Sequence, residues 1–195
     1  LFTTVTNVDF DPQRVEKLIR RAYQMKEKAK TLYLAACAQK GILPEELSGP
    51  AAWVPAANFD ELVKQGEEVT LEKDIERWGE SIAGAKHLII YGLKGVAAYA
   101  DHAQILGVED EEIYAFFHRT LDYLASDNFT LDELLSRALQ VGEYNLKVMA
   151  LLDQAHTSTY GHPVPTPARI TPEAGKAILI SGHDLKDLEE LLKQT

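Results

Sequence analysis

Cysteine is nearly missing from the sequence: Cys37 is the single one in 195 residues. An intrachain disulfide is therefore excluded, and a reducing, cytoplasmic setting is the simplest expectation. One thiolate also falls short of the roughly four that an iron–sulfur cluster ordinarily takes. Uninterrupted apolar runs of about 18 residues are lacking, so no membrane partner is expected. Positive charge is in deficit, with 20 Lys and Arg against 30 Asp and Glu and a formal net charge of −10. Nucleic acid as a partner calls for a clustered basic face, and none is visible. The acidity reads instead as solubility. The opening Leu1-Phe2-Thr3-Thr4-Val5-Thr6 has neither an initiating Met nor the basic-then-apolar layout of a signal peptide. The chain is expected to be cut from something longer.

Apolar residues make up 46% of the chain, enough for a real core in one domain or one and a half. Asp11-Pro12 is a helix start, because Asp caps free N–H groups and Pro at the first position loses nothing by lacking one. Val15, Ala22, Ala29 and Ala36 then recur every seven residues beside Leu18, Met25 and Leu32. That pattern predicts a long bundle helix packing closely through small residues and ended by Gly41. Four punctuating residues, Pro44, Gly49, Pro50 and Pro55, make 41–58 an irregular connection, with Trp53 pinning it to the bundle.

Short helices are expected over 59–65 and 71–78. The run 87–102 is apolar nearly all round, which suits a central, largely buried helix. Gly92 and Gly95 inside it cost about 1 kcal/mol each relative to Ala, a cost that a closely approaching neighbour helix would justify. Residues 110–125 read as an amphipathic helix with Ile113, Phe116, Phe117, Leu121 and Leu124 inward. Thr130-Leu131-Asp132-Glu133 is a capping box, opening a helix to about 155 that carries Leu131, Leu134, Leu135, Ala138, Met149 and Leu152.

The character changes at Pro163, Pro165, Pro167 and Pro172, which stiffen a linker and mark a domain boundary. Beyond it, Ala177-Ile178-Leu179-Ile180-Ser181 has the composition of a buried parallel strand. Gly182-His183 makes a turn, Asp184 can cap, and 185–192 has helical spacing. The expected architecture is mainly α: a helical bundle of three-helix, spectrin-like packing over 1–156, a Pro-rich linker over 157–175, and one strand–turn–helix unit of a truncated α/β domain over 176–195.

His183 is the best site candidate on position, since ligands of open α/β sheets bind where strands end and turn into helices. Ser181-Gly182 could cradle an anion at a helix N-terminus, though no second glycine supports it. His156 and His162 bracket a loop at a spacing some metal sites use, without a cysteine or carboxylate cluster to join them. His102 and His118 fall within helices, and His87 opens the apolar segment at a surface. Cys37 among alanines reads as a buried, inert thiol. Lys94 and Asp101 have no identifiable partner. Glu109-Asp110-Glu111-Glu112 is a helix start favoured by negative charge. No carboxylate pair, triad or phosphate loop emerges.

Several segments nonetheless resemble a known family. The segment Tyr91-Gly92-Leu93-Lys94-Gly95-Val96-Ala97-Ala98-Tyr99-Ala100-Asp101-His102-Ala103 is similar to the central helix of hybrid-cluster proteins, the prismane or hydroxylamine reductase family. Met149-Ala150-Leu151-Leu152-Asp153 with Tyr160-Gly161-His162-Pro163 resembles their passage from bundle to sheet. The most specific likeness is Ile178-Leu179-Ile180-Ser181-Gly182-His183-Asp184-Leu185-Lys186-Asp187-Leu188. Leu1-Phe2-Thr3-Thr4-Val5-Thr6-Asn7-Val8 is similar to the family's early helical region, and 42–80 is the least recognisable stretch.

The resemblance implies a redox enzyme with a helical domain and two α/β domains. It implies one cysteine-ligated iron–sulfur cluster, one hybrid iron–sulfur–oxygen cluster, and reduction of hydroxylamine to ammonia with a link to nitric oxide handling. His183 would inherit the role of an iron ligand of the hybrid cluster. The family's cysteine motif and its remaining ligands have no counterpart here, so the chain alone is expected to bind no cluster and to be inactive. Two other readings stand beside this one. A helical docking module could associate with a partner or with itself through an uncovered apolar surface. A small nucleotide-binding enzyme could use the Ser181-Gly182 turn.

Overall fold

A computed structural model describes residues 3–6 and 10–195. The likeness seen at Leu1, Phe2, Asn7 and Val8 lies outside the described residues. Helices account for all regular structure among the described residues: α1 Thr3–Thr6, α2 Pro12–Lys40, α3 Gly49–Ala52, α4 Phe59–Glu67, α5 Leu71–Trp78, α6 Glu80–Ile105, α7 Glu111–Ala125, α8 Leu131–Tyr160 and α9 Leu185–Leu192.

The helix boundaries follow local chemistry. Asp11 Oδ1 accepts from the N–H groups of Gln13 at 3.0 Å and Arg14 at 3.2 Å, opening α2 with Pro12 in its first turn. Gly41 closes that helix in the left-handed region at φ 64°. The capping box at α8 is reciprocal. The Thr130 N–H donates to Glu133 Oε2 at 2.8 Å, and the Glu133 N–H donates to Thr130 Oγ1 at 3.3 Å.

The core is a three-helix affair. From α6, Ile89, Leu93 and Val96 face inward, and from α7, Ile113, Phe116 and Leu124 do so. Helix α8 supplies Leu134, Val141, Tyr144 and Val148. Burial of each such aliphatic side chain is worth about 1.5–3 kcal/mol. Helix α5 packs on α6, where Asp74 Oδ2 sits 2.7 Å from His87 Nε2 and 3.3 Å from Lys86 Nζ. The Lys86 ammonium also lies over the Trp78 ring at 4.0 Å.

Three expectations need correction. The predicted α2 stripe is not a buried seam: Leu18, Met25 and Leu32 are 47%, 58% and 71% exposed. Helix α2 is held from another side. Lys26 Nζ donates to the carbonyls of Ala51 at 3.0 Å and Trp53, while Arg20 donates to the Ala57 carbonyl at 2.9 Å. It is thus the Trp53 carbonyl that is tied to α2. Leu121 of α7 and, in α8, Leu135 and Met149 are exposed rather than inward, and Val141, Tyr144 and Val148 take the inward face of α8. Apolar residues lie on more than one face of these helices, so spacing alone did not single out the buried one.

The third correction concerns the strand expected over 177–181. These residues carry no strand, and Leu179 is 96% exposed. A strand needs a neighbour to complete its backbone hydrogen bonds, and none is present among the described residues. The capped helix that was expected after it is present as α9, with Asp184 as its cap.

Helices α6 and α8 approach closely at Gly92. A Cβ built on Gly92 would meet Val141 Cγ1 at 2.6 Å, which gives the physical reason for a glycine in mid-helix. Val141 is β-branched and buried, so its side chain has little freedom to move aside. Gly92→Ala gains about 1 kcal/mol of helix propensity but overpacks this crossing by about 1–3 kcal/mol. The expected outcome is a lower urea midpoint, restored in the Gly92→Ala/Val141→Ala pair; an unchanged or higher midpoint for the single variant contradicts the close approach.

Thr120 on α7 is fully buried, and its Oγ1 has no hydrogen-bond partner among the described residues. Thr120→Val keeps the shape and removes a stranded hydroxyl, so it should stabilise the bundle by about 1 kcal/mol. Chemical denaturation reads the change directly, and a destabilised variant would show that the hydroxyl has a partner.

Candidate functional site

The end of the bundle from which the chain leaves α8 gathers the candidates. Helix α8 runs to Tyr160, and the chain then continues without helix or strand from 161 to 184. It returns at α9, whose first turn is fixed by Asp184. One oxygen of that carboxylate, Oδ1, accepts the Asp187 N–H at 2.9 Å. The other, Oδ2, lies 3.3 Å from Nδ1 of His102 near the end of α6. The Asp187 N–H first, then the His102 imidazole, the Lys186 N–H and the His156 imidazole, hold the Asp184 carboxyl below the usual carboxylate range against the effect of burial.

A second tie joins the same two parts. The Tyr160 O–H at the end of α8 donates to Glu189 Oε2 at 3.0 Å. Lys193, Lys186 and Tyr160 together lower the Glu189 pKa to about 2. Lys186 itself lies 3.0 Å from Glu189 and 2.9 Å from Glu190, so the outer face of α9 is laced with i, i+3 and i, i+4 pairs.

His183 is the residue immediately before this cap, and it is exposed. Gly182 beside it has φ 144°, a conformation that a glycine accommodates without a side-chain penalty. The imidazole is free to meet a group outside the chain. The anion cradle proposed for Ser181-Gly182 is disfavoured, because the Asp184 carboxylate already occupies the free N–H groups of α9 with negative charge.

The other candidates scatter. His156 and Tyr160 are ring neighbours on α8, with centroids 6.3 Å apart, while His162 is exposed beyond its end. His118 is exposed on α7, and Asp101 is exposed on α6. His87 is bonded to Asp74. Lys94 donates to Thr4 Oγ1 at 2.9 Å and sits over the Tyr91 ring at 5.3 Å. Cys37 is buried within α2. The groove between α6 and α8, about 420 Å³, is lined by Leu88, Gly95, Tyr99, Ala138, Gly142 and Asn145 and includes none of the candidates.

Sequence reasoning missed a polar cluster on the bundle flank. The Phe116 and Tyr144 rings stack at 3.7 Å and 4°, and the Tyr144 O–H donates to Glu112 at 2.6 Å. Arg119 donates to the same Glu112 oxygen at 2.7 Å. The Tyr144 bond first and Arg119 second keep the Glu112 carboxyl below its ordinary pKa, while the same carboxylate raises the Tyr144 phenol. The seven-residue spacing of Glu112 and Arg119 on one helix face was the available signal. The contact with Tyr144 belongs to another helix and left none.

An iron–sulfur cluster needs several donors converging on one point. Among the described residues, no group of three or more His, Cys, Asp or Glu is arranged to hold a metal ion. The described residues thus bring no such donor set together at one point. A single exposed imidazole, His183, does suit iron as one arm of a larger site.

Comparison with known proteins agrees across the whole length. The chain is 49% identical over 195 residues to a hydroxylamine reductase of Acidithiobacillus ferrooxidans, covering 100% of this chain and 35% of that protein. It is 48% identical over 197 residues to the hydroxylamine reductase of Geobacter sulfurreducens, with 100% and 36% covered. The hydroxylamine reductase of Rhodospirillum rubrum is 48% identical over 195 residues, with 100% and 36% covered. The chain thus spans about a third of the length of these relatives. The Prismane/CO dehydrogenase family matches residues 1–195, and the chain belongs to that family.

Proposed function

We propose that this chain is the helical segment of a cytoplasmic iron–sulfur oxidoreductase that reduces hydroxylamine, and that His183 is one iron ligand of its hybrid cluster. The observation that carries the reading is the exposed His183 at the capped start of α9, within a segment resembling the family's ligand-bearing turn. The bundle over 1–156 is the scaffold, 157–175 the linker, and 176–195 the entry to a following α/β domain that supplies the partner strands and further ligands. In that setting 177–181 pairs as a strand. The part played by the chain's own residues is to hold an imidazole out toward a site it does not complete. Alone, the chain holds no cluster and turns over no hydroxylamine.

A chimaera tests this. Residues 1–195 replace the matching segment of the Geobacter sulfurreducens hydroxylamine reductase, and cluster content and hydroxylamine turnover are measured anaerobically. The expected result is an assembled, active enzyme in which His183→Ala lowers cluster occupancy and turnover by about 100-fold or more. A folded chimaera without cluster sinks the functional reading. An active one indifferent to His183→Ala sinks the ligand role.

A second reading has its own observation, the exposed α2 face formed by Leu18, Met25 and Leu32. It makes the chain a docking module that pairs with a second copy through that face. Sedimentation of the isolated chain decides: a concentration-dependent dimer abolished by Leu18→Lys/Leu32→Lys supports it, and a monomer at all concentrations removes it.

A further inference from the structure

The turn that carries His183 has no strand and no core contact of its own to hold it, since 177–183 is exposed throughout. What fixes it is its connection to α9. Helix α9 has no fully buried residue, and its apolar contacts are the partial burial of Leu185, Leu188 and Leu191, which carries no direction of its own. Two polar ties add that direction, each reaching one of the two long helices of the core. Asp184 Oδ2 is 3.3 Å from His102 Nδ1 on α6, and Glu189 Oε2 accepts the Tyr160 O–H of α8 at 3.0 Å. His102 and Asp184 side chains are 32% and 23% exposed, so the first tie is only partly screened by water.

From this geometry we infer that His102 and Tyr160 are positioning residues: they latch α9 to the ends of α6 and α8 and thereby set where the His183 imidazole stands. Asp184 has two separable duties in this latch. Oδ1 caps α9 locally, whereas Oδ2 joins α9 to the bundle. Asparagine retains the first duty, because it caps helices about as well as aspartate. It replaces the other oxygen, the acceptor facing His102 Nδ1, with an amide nitrogen that only donates. The inference rests on the proposed role of His183 for its functional meaning, while the latch itself is a property of the chain alone.

The test uses the 195-residue chain. Amide exchange across 185–192 and the ring carbon–proton NMR signal of His183 are recorded for the native chain and for His102→Ala, Tyr160→Phe and Asp184→Asn. Each variant is expected to speed exchange in α9 and move the His183 signal, with exchange in the α6–α8 core unchanged. The His102→Ala/Tyr160→Phe pair should speed α9 exchange by about tenfold or more. Asp184→Asn separates latch from cap. If Asp184→Ala loosens α9 and Asp184→Asn does not, the carboxylate is only a cap and the latch is overturned. Unchanged exchange and an unmoved His183 signal in the double variant overturn it as well. His183→Ala should leave α9 protection intact. Loss of the iron-ligand reading in the chimaera, with these exchange results standing, would retire the function and keep the latch.

Discussion

The close crossing of α6 on α8 is the constraint from which the rest of the structure follows. Gly92 lets the α6 backbone come so near Val141 that no side chain fits between them. With the two longest core helices held at that spacing, α7 closes the third side through Phe116 stacked on Tyr144 and the fully buried Ile113. Close packing makes such a core stiff, so the far ends of α6 and α8 stand in a fixed relation.

That relation matters because the candidate site is built on helix ends. His102 lies in the last turn of α6, and Tyr160 is the last residue of α8. Both reach the short helix α9, half of whose residues are charged and half leucine, through polar contacts. A rigid core thereby passes its geometry to an exposed turn through a few directional contacts. This arrangement suits a segment meant to present one side chain to a neighbouring structure rather than to enclose a pocket.

Helix starts were well written in the sequence. Asp11-Pro12, the Thr130–Glu133 box and the Asp184 cap all appear where their side-chain chemistry places them. The buried 87–102 helix and its tolerance of glycine were also legible, since an all-round apolar helix has one natural place. Helix faces were less so. Leu18, Met25 and Leu32 repeat as a bundle stripe should, yet α2 is tied down through Arg20 and Lys26 to backbone carbonyls that no periodicity reveals. The segment 177–181 has the right residues for a strand and lacks the neighbour that would make it one. At the site, His183 was found by its place in the turn and by family resemblance. The residues inferred to position it, His102 and Tyr160, are 81 and 23 residues away in the chain and leave no local trace.

In the proposed function this bundle delivers one imidazole to iron held mainly by residues elsewhere. Pulsed EPR on the assembled chimaera, with its histidines labelled with ¹⁵N, measures that contact at the metal. A single directly coupled imidazole nitrogen on the paramagnetic hybrid cluster is the expected spectrum; an assembled cluster without any such nitrogen coupling would contradict it.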